Sequence, residues 1–312
     1  MTRRLTAVVT GAVAIGLVLG LVLRFGIGHS GAETVVTAPT KPPATSKYVS
    51  GAFYLAVGAS SSLGYQPMGI PGGREHATKK SYTNDLVGLE AERGLTLSLL
   101  QIGCPGETAA SMLTSVDHCF PTSNGQLHQA LSFLASHRSQ SGIVTIDLGF
   151  NDVRACLTRP TFDQACADAG VAAVRAAMPK VLNELTAAAG PNVRFVGLLV
   201  ADPFLVHYLH GPSGRSDAAS TLRTMSQLND VLRHDFRVAK IPVADVAFTF
   251  QSDDVTPVAL AGVGQVPTNV AAVCHLTWMC NPSPWGPDDH PNDVGYLAIA
   301  KAIDAVLNVA SH

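Results

Sequence analysis

Phe53-Tyr54-Leu55-Ala56-Val57-Gly58-Ala59-Ser60-Ser61-Ser62-Leu63-Gly64, residues 53–64, is the stretch on which the fold turns. Phe53–Val57 is an apolar run of strand length closed by glycine, and such a run reads as a buried strand. The small residues after it form a turn that places a hydroxyl at the strand's carboxyl end.

Working outward, similar runs recur at Leu95–Ile102, Ile143–Leu148, Val193–Val200 and Ile241–Phe248. Between them lie stretches with helical spacing, at about residues 83–93, 126–137, 171–188 and 218–236, with a last one from Asn292 to Ala310. In that last stretch Val294, Leu297, Ile303, Val306, Leu307 and Ala310 fall broadly on one side, as in a helix packed on a sheet. Strand and helix alternate, which predicts a three-layer α/β/α sandwich around a mostly parallel five-stranded sheet. Ligands of such sheets bind beyond the carboxyl ends of the strands, so the residues just after each strand are the place to look for chemistry.

The ends and the cysteines set the compartment. Arg3 and Arg4 precede a run from Leu5 to Leu23 without a charged side chain. Its length is nearer that of a spanning anchor than of a secretory core, while Ser30-Gly31-Ala32 leaves signal cleavage open. Either way the positive-inside rule sends the body out of the cytoplasm. Residues 1–27 thus read as anchor or signal peptide, residues 28–47 as a Pro/Thr-rich linker, and 48–312 as one domain, expected to be a monomer. An exported chain meets oxidising conditions, and six cysteines fall into three local couples: Cys104 with Cys119, Cys156 with Cys166, Cys274 with Cys280. Sequential disulfides are the expectation. No couple has the two-residue spacing of a zinc knuckle, so no metal is expected, and no cofactor motif is apparent. A net charge of -2 without a basic block argues against nucleic acid.

Four pieces carry possible chemistry. Ser60 is a candidate nucleophile, but a serine hydroxyl needs a base within reach, and Gly-Ala-Ser alone reads equally well as a plain turn. The Gly-x-Ser-x-Gly elbow is not met, because Ser62 stands where the second glycine belongs. His290, in Pro287-Asp288-Asp289-His290-Pro291-Asn292, is a candidate base, with Asp288 or Asp289 to orient it. The same segment also reads as a helix start capped by Asn292. Asn151, in Gly149-Phe150-Asn151-Asp152 after the third strand, is a candidate donor to an oxyanion. Gly106, in Gly103-Cys104-Pro105-Gly106-Glu107-Thr108 after the second, offers a backbone N–H to the same charge. Taken singly, the last two read as ordinary turn and loop residues.

Taken together, in the order Ser, Gly, Asn, His, these pieces resemble the SGNH/GDSL hydrolases, and His-Pro-Asn-x-x-Gly-Tyr is the most specific of them. The resemblance runs from Phe53 to the last helix. The cysteine couples and Gly-Cys-Pro-Gly-Glu-Thr are similar to those of secreted actinobacterial lipases of that family. It implies a flavodoxin-like fold and a carboxylic ester hydrolase without cofactor. It also implies a Ser60 nucleophile, a His290 base, and an oxyanion hole from the Ser60 N–H, the Gly106 N–H and the Asn151 side chain. A lipid ester is the favoured substrate, with a carbohydrate O-acetyl ester or a non-catalytic binding role as alternatives. Two positions depart from the family. Ala59 stands where it has aspartate, and Pro287 stands where its acid usually lies, which leaves Asp288, Asp289 or a backbone carbonyl for that role.

Overall fold

β1 (Ala52–Gly58) is buried along its whole length, and it lies inside the sheet rather than at an edge. It pairs in parallel with β2 (Leu97–Gln101) on one side and β3 (Gly142–Asp147) on the other. β4 (Val193–Leu198) and β5 (Val243–Ala244) continue from β3, also parallel, giving the order β2-β1-β3-β4-β5. The computed structural model describes residues 51–114, 119–120, 124–157 and 162–309.

Alternate residues of the strands feed two cores. Phe53, Leu55, Val57, Val144 and Ile146 pack with α2 (Gly125–Ser136), α4 (Gln164–Ala188) and α5 (Gly211–Val238). Tyr54, Ala56, Ile143, Val196 and Leu198 pack against α1 (Tyr82–Glu92) and α8 (Asp293–Val309). The layers are therefore helix, sheet, helix, as the alternation of runs implied. Helix starts follow local chemistry: Ser81 Oγ accepts the Asn84 N–H at 3.1 Å to cap α1, and Asp163 Oδ1 accepts the Cys166 N–H at 3.0 Å to cap α4.

Ile241–Phe248, expected as a strand, supplies only the two residues of β5. Asp245 Oδ1 accepts the Phe248 N–H at 2.9 Å, and this cap starts the short helix α6 (Val246–Thr249) where the strand was to continue. Gly149-Phe150-Asn151-Asp152, which singly reads as a turn, instead opens α3 (Phe150–Leu157). Gly170 on α4 allows α3 to lie close, since a Cβ there would meet the Asp152 carbonyl oxygen at 2.2 Å. Between β5 and the last helix the chain adds an antiparallel hairpin, β6 (Pro257–Leu260) and β7 (Gly264–Pro267), then α7 (Thr268–Leu276).

Three disulfides join Cys104 to Cys119, Cys156 to Cys166 and Cys274 to Cys280. The second ties α3 to α4. Among the described residues no helix is long and apolar enough to cross a membrane. The Leu5–Leu23 run and the linker 28–47 lie outside the described residues, so the anchor-or-signal expectation concerns a segment beyond them.

Candidate active site

The order of strands makes a crevice at a definite place. From β1 the chain runs to β2 on one side and returns to β3 on the other, so the loops after β1 and β3 diverge above the sheet at the switch point. Ser60 follows β1, and Asn151 follows β3.

The Ser60 turn is held from below and from both sides. Gln126, buried at the start of α2, accepts the Gly58 N–H with Oε1 at 2.8 Å and returns an N–H to the Gly58 carbonyl at 2.9 Å. The same amide donates to Glu107 Oε2 at 2.9 Å, so one glutamine links the end of β1 to the Gly106 loop. Ser62 Oγ donates to the Ala59 carbonyl at 2.7 Å, and Gln101 Nε2 donates to the Ser62 carbonyl at 2.7 Å. The Gly103 loop then crosses close above the turn, because a Cβ at Gly103 would lie 2.7 Å from the Ala59 oxygen. Gly106 has φ +79°, a left-handed conformation that glycine adopts without penalty.

The histidine arrives on the segment that leads into α8. Asn292 Oδ1 accepts the N–H groups of Val294 at 3.0 Å and Gly295 at 3.1 Å, while its amide donates to the His275 and Thr277 carbonyls. The capping reading and the chemical reading of this segment therefore both apply: the cap fixes the helix start, and the fixed start aims His290. His290 Nε2 lies 2.9 Å from Ser60 Oγ, and Nδ1 lies 2.9 Å from Asp288 Oδ1. Asp288 Oδ1 also accepts the His290 backbone N–H at 2.9 Å. Asp289 is the poorer partner, with Oδ1 3.9 Å from Nδ1, and its carboxylate is engaged by the Arg154 guanidinium through Nε and, at 3.1 Å, Nη2.

The charges follow from these contacts. At Asp288 burial pulls the carboxyl upward, yet the hydrogen bond and charge of His290, with its backbone N–H and Glu75, hold it below the usual carboxylate range. Asp288 is thus anionic, which puts the proton on Nδ1 and leaves Nε2 to accept the Ser60 hydroxyl. Burial is also the largest influence on His290 and pushes it down. The Asp288 hydrogen bond and the charges of Asp288 and Asp289 more than offset it, against Arg154, and the imidazole titrates above its usual value.

Ser60, Gly106, Asn151 and His290 line one cavity of ≈ 250 Å³. Asn151 spends one amide N–H on the Glu107 carbonyl at 3.0 Å, which leaves its second N–H available. Asp152 Oδ2 accepts the Ala109 N–H at 2.9 Å, so the first turn of α3 is bonded twice to the Gly106 loop. Asp288, Asp289 and His290 are the one group of three such side chains, among the described residues, packed closely enough to hold a metal ion. Arg154 already occupies the cationic place beside Asp289.

Sequence reasoning passed over Gln126, Glu107, Arg154 and Asp147. Glu107 was quoted only as part of Gly-Cys-Pro-Gly-Glu-Thr and given no role, and the other three carry no motif; for Gln126 and Asp147 the signal was a polar residue at a position that the helix or strand period assigns to the interior.

In fold, the chain is similar to an extracellular lipase from Streptomyces rimosus, with a TM-score of 0.52 at 17% identity, over 82% of this chain and 99% of that one. It is likewise similar to phospholipase A1 from Streptomyces albidoflavus NA297, with a TM-score of 0.53 at 15% identity, over 82% and 99%. No family model and no curated protein matches the sequence. The α/β fold expected from the resemblance is the fold these two structures share with the chain.

Proposed function

We propose that the chain is an exported serine hydrolase of carboxylic esters, with Ser60 as nucleophile, His290 as general base and Asp288 as the acid that orients it. The observation that carries this reading is the unbroken relay from Asp288 through His290 to Ser60, two contacts of 2.9 Å each, in a cavity at the switch point of the sheet. Ser60 Oγ attacks the ester carbonyl as Nε2 takes its proton. The oxyanion that forms is met by the N–H groups of Ser60 and Gly106 and by the free Asn151 N–H. His290 gives its proton to the departing alcohol and leaves an acyl group on Ser60. It then deprotonates the water that releases the acid.

The acyl group is the side of the substrate that the walls address. Phe150, Leu199, Val200 and Pro203 line the cavity with Asn151 and favour an apolar chain, hence a lipid or other fatty acyl ester. Export is supported by Arg3-Arg4 ahead of the Leu5–Leu23 run and by three disulfides. Residues 48–312 are the catalytic domain in this reading.

The test is an assay of the full-length chain on p-nitrophenyl esters of increasing acyl length, with Ser60→Ala and His290→Ala beside it. Turnover is expected to depend on acyl length and to vanish in both variants. Absence of Ser60-dependent turnover on every ester contradicts the reading.

A further inference from the structure

Asp147 ends β3 and pairs in register with Gly58, two residues before Ser60. A Cβ on Gly58 would lie 2.8 Å from the Asp147 Cβ, so this side chain sits directly beside the base of the Ser60 turn. It lines the same cavity as Ser60 and His290. Its Oδ2, however, is closed to solvent and has no hydrogen-bond donor. A carboxylate oxygen closed off in this way, on a side chain that is otherwise half-buried, costs free energy that a neutral group would not.

The groups around it explain little of that cost. From β1 comes Tyr54, whose hydroxyl is paired with Thr145 of β3 at 3.0 Å. From α1 comes Tyr82, and from α8 comes Tyr296, whose hydroxyl donates to the Tyr65 carbonyl at 2.8 Å. The phenols are neutral. Among the described groups that interact with Asp147, His290 alone takes a charge of opposite sign. Asp147 and His290 face one cavity, and His290 is the group that pulls the Asp147 carboxyl down.

We infer that Asp147 is a positioning residue: an unpaired carboxylate beside the base of the Ser60 turn whose charge stabilises the imidazolium form of His290, while Asp288 holds Nδ1. The inference rests on the reading of His290 as the base. His290 becomes imidazolium twice in each turnover, when it takes the Ser60 proton and when it takes the proton of the hydrolytic water, and the same carboxylate favours both steps. Burial raises the Asp147 carboxyl to about 6, with His290 pulling the other way, so the charge is present in the pH range where His290 serves as a base.

Asp147→Asn removes the charge and keeps the shape. In the full-length chain, the His290 titration followed by NMR is expected to fall by roughly half a unit or more. On the plateau of the pH profile, kcat on a p-nitrophenyl ester drops several-fold with KM unchanged. Thermal stability at pH 7 is kept or raised, because an uncompensated charge has gone. A side chain that only packed would give the reverse, a lower melting temperature and an unmoved His290. A folded Asp147→Asn variant with an unchanged His290 titration overturns the inference.

Should that variant not fold, the coupling is read from the other end, since it is reciprocal. The Asp147 carboxyl is titrated by carbon NMR in the unmodified chain and in His290→Gln. Its pKa is expected to rise when His290 is removed, and no change overturns the inference. The two proposals fail differently. Loss of the hydrolase reading shows as no Ser60-dependent turnover, whereas loss of this one shows as Ser60-dependent turnover with a His290 indifferent to Asp147.

Discussion

His290 is held between burial, which disfavours its charge, and two carboxylates, which favour it, and the carboxylates win. The sign of the pH dependence follows. The base works only when neutral, and its pKa is raised, so kcat/KM falls with decreasing pH along a limb whose midpoint lies above the ordinary 6.5. A pH–rate profile on a soluble ester checks this, and a midpoint below 6.5 contradicts it. The two aspartates before His290 are equivalent in the sequence and unequal in space. Asp288→Asn is expected to lower kcat by about 10³- to 10⁴-fold by releasing the ring and its tautomer. Asp289→Asn, 3.9 Å from Nδ1 and already engaged by Arg154, is expected to cost about tenfold or less. Kinetics of the pair settle which acid serves the histidine. Sequence alone left this choice open, because it depends on a rotamer and on an arginine well over a hundred positions away.

At the scale of elements, α3 is the hub of the site. Its first turn carries Asn151 and bonds to the Gly106 loop, and one turn later Arg154 reaches the segment that bears His290. Asn151→Ala is expected to lower kcat about 10²- to 10³-fold with little change in KM, the loss of one oxyanion donor. Arg154→Ala should lower kcat less and Arg154→Lys should restore it in part, since lysine keeps the charge but not the two-pronged contact. α3 was the element hardest to foresee. Gly-Phe-Asn-Asp has turn chemistry, and its helical form is set by packing on Gly170 of the next helix, α4; the Cys156–Cys166 pair was foreseen, but not that it ties two helices together. β1 was legible because burial imposes five apolar residues in a row on a strand covered on both faces. α8 was legible as a helix but only partly in its buried face: Ile303 and Leu307 are buried as expected, whereas Val294 and Leu297 are exposed and Tyr296, Ile299 and Ala300 pack on the sheet in their place. β5 was over-read for a local reason, the cap at Asp245 that ends it.

Across the whole molecule, function and stability are expected to pull in opposite directions with pH. Burial raises Asp147 and Asp152 to about 6 and Asp202 to about 7, from 3.8. A carboxyl raised in the folded state binds more protons folded than unfolded, so its penalty is full above the folded pKa and disappears as pH falls towards 3.8. Asp147 and Asp152 each cost on the order of 3 kcal/mol or less at pH 8, and Asp202 on the order of 4 kcal/mol or less. His290, raised as well, acts in the same sense, while His207, pushed down chiefly by burial, opposes it. The melting temperature of the full-length chain is therefore expected to rise by several degrees from pH 8 to pH 5, the interval over which turnover declines. A melting temperature that falls over that interval contradicts the burial of these groups as charged species. The central claim, that Ser60 is the nucleophile and His290 its base, is met most directly by labelling. The full-length chain is incubated with a fluorophosphonate, and the modified peptide is identified by mass spectrometry. The account predicts one adduct, on Ser60, lost in Ser60→Ala and strongly slowed in His290→Ala. No adduct, or an adduct on Ser61 or Ser62 that persists in Ser60→Ala, contradicts it.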